Sequence, residues 1–215
     1  MRKIQYGVAV SLDGYIAGPN GEADWIQIDP EIDFPAIWSQ FDTLLMGRRT
    51  YEAATRRLGR AAFAGKATFV FSKQLEPKDH PGVTIISELT RPWIQALKKQ
   101  EGKDIWLMGG GELFRKLLDL GEVDSVNITT VPVMLGDGTP LMSPPYAPTK
   151  LALLTHRVHK SGSISMTYEL KSSRQRKRQL PGPVGRLRYL LQRPPTRTTC
   201  RFDVSHQRAV VLQLF

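Results

Sequence analysis

The chain has 215 residues, 41% of them hydrophobic, which is enough to bury a core and predicts one principal domain. Its net charge of +10 is unevenly distributed. Residues 1–171 contain 20 Lys and Arg residues and 19 Asp and Glu residues, whereas residues 172–215 contain 10 Lys and Arg residues and one Asp. The single cysteine, Cys200, excludes a disulfide or a cysteine-based metal site within one chain. The main part is nearly neutral, so its charge does not indicate nucleic-acid binding.

Alternating Ile4, Tyr6 and Val8 predict a first strand over residues 3–10. The polar loop after this strand begins too soon for a signal peptide, and no apolar run in the chain has the length of a membrane helix. We therefore expect a cytoplasmic protein without a membrane partner.

The loop over residues 11–22 is polar and rich in glycine. A loop of this length beside a buried strand often carries function, although a mobile connection is the alternative. Residues 29–41 are then expected to be mainly helical, because four large apolar side chains are spaced for one face: Phe34, Ile37, Trp38 and Phe41.

Two carboxylates, Asp29 and Asp33, each come just before a proline at the expected start of this helix. Negative charge is favoured at a helix N-terminus, so capping explains either residue as well as a catalytic role does. Asp33 is expected to face inward beside Phe34.

Two buried strands run into turns that carry cations and hydroxyl groups. The strand over residues 43–46 is followed by Gly47, Arg48, Arg49 and Thr50. Arginines at a helix start oppose the helix dipole, so a bound phosphate explains this pair better than a structural role, with surface solvation as the alternative. The strand over residues 67–71 ends at Ser72 and Lys73.

A third turn follows the strand over residues 105–108 and consists of Gly109, Gly110 and Gly111. Free backbone N–H groups at the helix start after such a turn attract anions, although a plain strand-to-helix turn is equally open. The third glycine of a G-x-G-x-x-G fingerprint would fall at Phe114, and no P-loop pattern occurs. A diphosphate site here would therefore belong to another α/β dinucleotide fold.

The remaining elements are expected as strands at residues 83–86 and 123–131, a helix at 91–100 and an antiparallel hairpin of 151–159 with 164–170. Strands that alternate with helices predict an α/β fold with a mainly parallel sheet covered on both faces and ligands at the strands' carboxyl ends. His156 and His159 are expected on opposite sides of one strand, which does not suit a metal pair.

Residues 172–215 have no continuous apolar pattern and are predicted to form a basic, largely disordered tail. Nucleic-acid binding through residues 174–178 and later arginines is the less favoured alternative function, because no recognised module accompanies them.

Four motifs that occur in order carry a family resemblance: SLDGYIAG at 11–18, LMGRRTYE at 45–52, MGGGEL at 108–113 and VPVMLGDG at 131–138. Together they resemble the dihydrofolate-reductase-like superfamily, and most closely the branch with the reductase domain of the bifunctional riboflavin-biosynthesis deaminase-reductase. The resemblance covers about residues 1–171. It implies a three-layer α/β/α fold with a mainly parallel eight-stranded sheet and a C-terminal antiparallel hairpin.

The resemblance also implies an NADPH-dependent reductase. Ala9 and Ile16 would flank the nicotinamide, and Ser72 with Lys73 would meet the adenosine 2′-phosphate. The remaining cofactor contacts carried over from the family are Gly47, Arg48, Arg49, Thr50, Gly109, Gly110, Gly111, Glu112 and Leu113.

The implied substrate is a ribosylaminopyrimidine, similar to 5-amino-6-(5-phosphoribosylamino)uracil, or a pterin. Asp29 and Asp33 are the candidate proton donors, although neither spacing from Trp25 matches that of dihydrofolate reductases, and Asp13 could reach a substrate ribose. A dinucleotide-binding protein without turnover is the alternative. Related reductases are often dimers, so a homodimer is expected, and no metal is implied.

The tail should be dispensable, because residues 172–215 offer no continuous apolar face to the domain. We expect a chain that ends at Lys171 to keep its unfolding temperature and its NADPH affinity, measured by thermal unfolding and by fluorescence titration. Loss of either property on truncation would mean that the tail packs on the domain.

Overall fold

The protein is described by a computed structural model that covers residues 1–27 and 29–170; the predicted tail lies outside the described residues. The strands, numbered in chain order, are β1 Ile4–Ser11, β2 Tyr15–Ala17, β3 Phe41–Gly47, β4 Ala67–Phe71, β5 Thr84–Ile86, β6 Asp104–Gly109, β7 Ser125–Val131, β8 Thr139–Pro140, β9 Leu151–Val158 and β10 Ile164–Leu170. The helices are α1 Phe34–Ser39, α2 Arg48–Leu58, α3 Arg91–Lys99 and α4 Gly111–Asp119.

Eight strands form one sheet in the order β5-β4-β3-β6-β1-β7-β10-β9. In this order, every pair of neighbouring strands from β5 to β7 is parallel. Strand β10 pairs with both β7 and β9 in antiparallel fashion. This arrangement confirms the predicted α/β fold, its mainly parallel eight-stranded sheet and its C-terminal hairpin. The short strands β2 and β8 make a separate pair. None of the described helices has the length and apolarity of a membrane span.

Each face of the sheet carries its own apolar core, because successive strand side chains point to opposite faces. On one face, Ile4 and Tyr6 of β1 pack with α3 and α4, and the rings of Tyr6 and Phe114 stack with centroids 3.9 Å apart. On the other face, Trp106 of β6 packs with α1 and β3, and its ring lies 5.2 Å from that of Phe41. The sheet is therefore covered on both sides.

The first helix is shorter than the predicted range of residues 29–41. It spans Phe34–Ser39, because Asp33 is its N-cap and accepts a hydrogen bond from the Ala36 N–H at 2.9 Å. Phe41 already belongs to β3. The apolar residues whose spacing suggested one longer helix therefore lie partly in α1 and partly in the following strand. The expectation that Asp33 faces inward is wrong, since its side chain points into its own helix turn and the residue is exposed.

A buried charge network connects α3 to the start of the central strands. The Lys98 ammonium, only 6% exposed, lies 2.7 Å from an Asp124 carboxylate oxygen and 3.8 Å from the buried Glu122 carboxylate. Asp124 also accepts the Ile4 N–H at 2.7 Å. Since β1 is central in the sheet, this network fixes the helix against the middle of the fold.

We expect Lys98→Met to destabilise the domain by about 2–3 kcal/mol, because it removes the cation of the partly buried Asp124 and leaves Glu122 with Arg91 as its cation. The matched control is Lys116→Met, which removes an exposed partner of Glu112 on α4 and should cost less than about 0.5 kcal/mol. Urea unfolding of both variants measures the difference. Equal losses would show that the Lys98 network does not stabilise the fold.

Candidate active site

Two helix starts lie next to each other at the carboxyl edge of the sheet. Strands β3 and β6 are parallel neighbours, with Met46 opposite Gly109, and each runs directly into a helix. The N-caps of α2 and α4 are Gly47 and Gly110, and neither supplies a side-chain cap. The first N–H groups of both helices therefore remain available to an anionic ligand.

The glycines at this edge are required by close packing. A Cβ on Gly111 would lie 2.8 Å from the Pro140 carbonyl oxygen and 2.9 Å from that of Leu141. Gly109 has a φ of +117°, which disfavours any residue with a side chain. A Cβ on Gly110 would approach the Thr50 hydroxyl to 3.5 Å. The two turns thus form one bare backbone surface.

Charged side chains flank this backbone surface. Arg48 is half-buried and pairs with Glu52 one turn along α2 at 2.9 Å, so its charge is partly matched within the helix. Arg49 is exposed. The pKa of Glu112 is lowered by its hydrogen bond and charge interaction with Lys116, and further by Arg115 and Arg49. The charge of Arg49 therefore acts on the first turn of α4.

The turn after β4 lies beside β3 in the sheet. The Ser72 hydroxyl oxygen accepts the N–H groups of Gln74 at 3.0 Å and Leu75 at 3.1 Å, which closes the turn. The hydroxyl hydrogen is still available to donate, and the neighbouring Lys73 is exposed. This turn can offer both a donor and a cation.

A cleft with a volume of about 480 Å³ opens on the α1 face of the sheet. Ala9 lies in its floor at the carboxyl end of β1, whereas Ile16 is partly buried against the core of the opposite face. The lining comes from β1, β6, β7, β9, β10 and the segment around α1, and comprises Gln5, Gly7, Ala9, Ile26, Gln27, Ile32, Ile37, Gln40, Phe41, Trp106, Asn127, Ile128, Thr129, Val131, Thr155, His156, Arg157, Ser165, Met166 and Thr167.

Asp13 connects two loops at the carboxyl end of β1. Its carboxylate accepts the Ser11 hydroxyl at 2.6 Å and the N–H groups of Leu135 at 3.0 Å and Gly136 at 2.7 Å. These bonds, led by that from Ser11, lower the Asp13 pKa to about 2. The structure thus places Asp13 as an anchor between loops.

The two candidate proton donors, Asp29 and Asp33, are both outside the cleft lining. Asp29 is buried, and its oxygens accept the N–H groups of Glu31 and Ser161, each at 2.8 Å. The bond from Glu31, followed by that from Ser161, lowers its pKa. Asp29 therefore joins the segment before α1 to the β9–β10 turn, and Asp33 caps α1.

A buried histidine that the sequence did not single out is connected to the cleft. His159 follows β9 in the hairpin turn and is 5% exposed. Its Nε2 lies 2.8 Å from the Ser165 hydroxyl, which lies 2.9 Å from that of Thr129. Both hydroxyl groups line the cleft. Sequence periodicity gave no signal for this chain of bonds, because the three residues lie on different segments.

His159 also lies near two acidic side chains. A ring nitrogen and one carboxylate oxygen each of Asp29 and Glu31 are within 4.8 Å of one another. The Glu31 carboxylate is paired with Lys160 at 2.8 Å and Arg157 at 3.5 Å. The Asp29 carboxylate accepts backbone N–H groups and the Glu31 carboxylate has cationic partners. The negative charge of the cluster is therefore compensated by the protein's own groups.

Residues 2–165 match the RibD C-terminal domain family. Two uncharacterized proteins of Bacillus subtilis, YyaP and YwjB, are 32% and 34% identical over 179 and 155 residues. The alignments cover 78% and 71% of this chain and 94% and 89% of the relatives.

Solved structures share the fold. A protein from Shewanella sp. PV-4 assigned to riboflavin biosynthesis has a TM-score of 0.68 at 25% identity, over 80% of this chain and 99% of that one. A pyrimidine reductase-like protein from Corynebacterium diphtheriae has a TM-score of 0.60 at 17% identity, over 80% and 93%.

A diaminohydroxyphosphoribosylaminopyrimidine deaminase/5-amino-6-(5-phosphoribosylamino)uracil reductase from Thermotoga maritima has a TM-score of 0.60 at 16% identity, over 79% of this chain and 57% of that one. The RibD C-terminal family is a dinucleotide-dependent reductase family. This supports the interpretation of the chain as an oxidoreductase. As the four ordered motifs predicted, the chain belongs to the RibD C-terminal domain family.

Proposed function

We propose that the protein is an NADPH-dependent reductase that transfers hydride to a C=N or C=O group of a ribosylaminopyrimidine or pterin. The observation that carries this proposal is the pair of uncapped helix starts at the edge where the cleft floor ends. Membership in a dinucleotide-dependent reductase family supports it.

The residues at the sheet edge fit a dinucleotide. Gly109 and Gly110 offer backbone without side chains beside the Thr50 hydroxyl, whereas Gly111 is required by its packing against the backbone of residues 140 and 141. Their N–H groups, with those of the residues after Gly47, would bind the diphosphate oxygens. When bound, the nicotinamide supplies the hydride. Ala9 would lie under its ring in the floor of the cleft, and Ser72, Lys73 and Arg49 would hold the 2′-phosphate.

The proposal is tested by following NADPH oxidation with dihydrofolate and with 5-amino-6-(5-phosphoribosylamino)uracil. Turnover of either compound supports the reductase. If NADPH binds but neither compound is reduced, the alternative of a dinucleotide-binding protein without turnover becomes the better description.

Hydride transfer leaves the product one proton short. Among the described residues no Asp or Glu lines the cleft, and the histidine that does, His156, is exposed to solvent. The bonds from His159 through Ser165 to Thr129 provide a path from a buried titratable group to the cleft floor. An Asp29 carboxylate oxygen lies within 4.8 Å of a ring nitrogen of His159 and would help to hold the ring in place. We therefore assign the proton supply to His159, with Asp29 as a positioning residue.

The homodimer expected from the family stays a prediction. The outer strand β9 has one edge without a partner strand in the described sheet, and Leu153, Leu154 and Val158 on it are more than half exposed. This strand is the surface through which we propose that two copies associate.

His159→Asn should lower turnover by about 10²–10⁴-fold, the usual effect of losing proton-transfer help, while NADPH affinity stays unchanged. Asp33→Asn is the matched control, because asparagine caps a helix as well as aspartate does. Turnover of each variant is measured as steady-state rates across pH, and NADPH affinity is measured by titration. Normal turnover in His159→Asn, or an equal loss in Asp33→Asn, contradicts the assignment.

Arg49→Ala should reduce the preference for NADPH over NADH. A hydrogen bond to a charged group is worth about 1.5–3 kcal/mol, so NADPH affinity should fall by about one to two decades with NADH affinity almost unchanged. Arg56→Ala, at an exposed position in the last turn of the same helix, is the control. Fluorescence titration of both cofactors measures this. Equal affinity of the unmutated protein for NADH and NADPH would refute the 2′-phosphate site.

A further inference from the structure

We propose that the cluster of Asp29, Glu31 and His159 binds one divalent transition-metal ion of the Zn²⁺ class. The site lies where the segment before α1 meets the turn between β9 and β10. None of the three residues lines the cleft. The site is therefore separate from the proposed dinucleotide and substrate sites, and it takes a ligand that the reductase reaction does not require.

His159 supplies the observation that points to a ligand. The residue is 5% exposed, and its Nδ1 atom has no hydrogen-bond partner among the residues that the structure describes. The other ring nitrogen, Nε2, lies 2.8 Å from the Ser165 hydroxyl oxygen. In the tautomer whose Nε2–H donates to this hydroxyl, Nδ1 carries a buried lone pair. An unpaired buried acceptor is costly, so a partner for Nδ1 is expected.

The groups nearest to the ring cannot supply a hydrogen to this lone pair. One oxygen of Asp29, one oxygen of Glu31 and one ring nitrogen of His159 all lie within 4.8 Å of one another. An ionised carboxylate only accepts hydrogen bonds, so neither acid is the donor that Nδ1 lacks. A cation between the three groups can accept a lone pair from each. The three side chains together therefore form the donor set of a metal site.

Hydrogen bonds around the cluster hold two of the ligands in place. A metal-binding histidine usually donates its other ring N–H to a neighbouring acceptor, which orients the ring. Here that acceptor is the Ser165 hydroxyl, which itself lies 2.9 Å from the Thr129 hydroxyl. Asp29 accepts the Glu31 N–H on one oxygen and the Ser161 N–H on the other, each at 2.8 Å. Since a carboxylate oxygen has two lone pairs, both oxygens can still bind an ion.

Glu31 is the ligand that has to move. Its carboxylate lies 2.8 Å from the Lys160 ammonium and 3.5 Å from the Arg157 guanidinium, and the side chains of these two cations are 87% and 60% exposed. Ion pairs with such exposed partners contribute little to stability, so a metal ion can replace them. Two ligands with bonds of about 2.0–2.2 Å to one ion lie at most about 4.4 Å apart. A small inward movement of the Glu31 side chain therefore completes the site.

The donor set selects the class of ion. Imidazole nitrogen favours Zn²⁺ and the neighbouring transition metals, whereas Mg²⁺ and Ca²⁺ prefer sites made of oxygen alone. One imidazole and two carboxylates leave the fourth position of a tetrahedral Zn²⁺ ion to water. The bound ion connects the segment before α1 to the hairpin turn, so it should stabilise the folded chain.

The test measures Zn²⁺ binding by calorimetry in the full chain with Cys200→Ser, which removes the single thiol. We expect one Zn²⁺ to bind at this site and Mg²⁺ not to bind there. His159→Asn and Glu31→Gln should each weaken Zn²⁺ binding by about tenfold or more, since even outer-shell partners of metal ligands have effects of that size. The matched controls are His156→Asn and Glu101→Gln, at exposed positions, which should leave the affinity unchanged.

Thermal unfolding separates loss of the site from loss of the fold. Zn²⁺ should raise the unfolding temperature of the Cys200→Ser chain and leave that of Glu31→Gln, at a partly exposed position, almost unchanged. Absence of Zn²⁺ binding, unchanged affinity in His159→Asn or equally tight binding of Mg²⁺ overturns the inference. An equal loss of affinity in His156→Asn also overturns it, because the ion would then bind at the cleft surface.

These measurements need neither cofactor nor substrate, so the site is tested independently of the proposed function. In a protein that turns over, bound Zn²⁺ should slow the reaction, because the ion then holds the His159 ring to which the proton supply is assigned. Absence of NADPH oxidation from the metal-free protein would refute the proposed function and not the metal site.

Discussion

The parallel pairing of β3 with β6 is the constraint on which the rest of the site depends. Since Met46 is opposite Gly109, both strands end at the same level, and the helices that follow must begin side by side. Backbone from residues 140 and 141 packs against one of these starts so closely that only glycine fits at position 111. The register of two strands thereby brings the positive ends of two helix dipoles together on one surface.

The two faces of the same sheet are covered unequally. On one face, α3 and α4 complete a continuous core over β1, β3 and β6. On the other face, α1 has only six residues and packs over β3 and β6, so the floor formed by β1, β7 and β10 stays open. The cleft occupies the place where another helix would complete the core.

The sequence predicted the strand-to-helix junctions well because each junction is contiguous in the chain. A short apolar strand, a glycine turn and an amphipathic helix can be recognised within about fifteen residues, as at residues 105–118. The contacts that shape the cleft could not be predicted in this way. Gln5 meets Asn127 and Asp29 meets Ser161, contacts separated by 122 and 132 residues. No local periodicity reports such contacts.

The first helix shows why local signals can also mislead. Four large apolar residues had helical spacing, but Phe41 is in β3 because β3 begins directly after a short helix. Asp33 looked like a buried acid from its neighbour Phe34, whereas capping geometry turns its side chain back toward the Ala36 N–H. The residue type of Asp33 was compatible with a helix cap and with a catalytic acid. The structure shows that it caps α1.

The open floor of the cleft has an evolutionary consequence. Its hydroxyl and amide side chains, such as Thr129, Asn127 and Thr167, are only partly buried and lie outside both large apolar cores. Replacing such residues removes little apolar contact, so it should cost far less stability than a core substitution. Substitutions in this floor can therefore accumulate while the strand-to-helix junctions stay intact. Relatives that share this scaffold are expected to differ first in the residues of that floor.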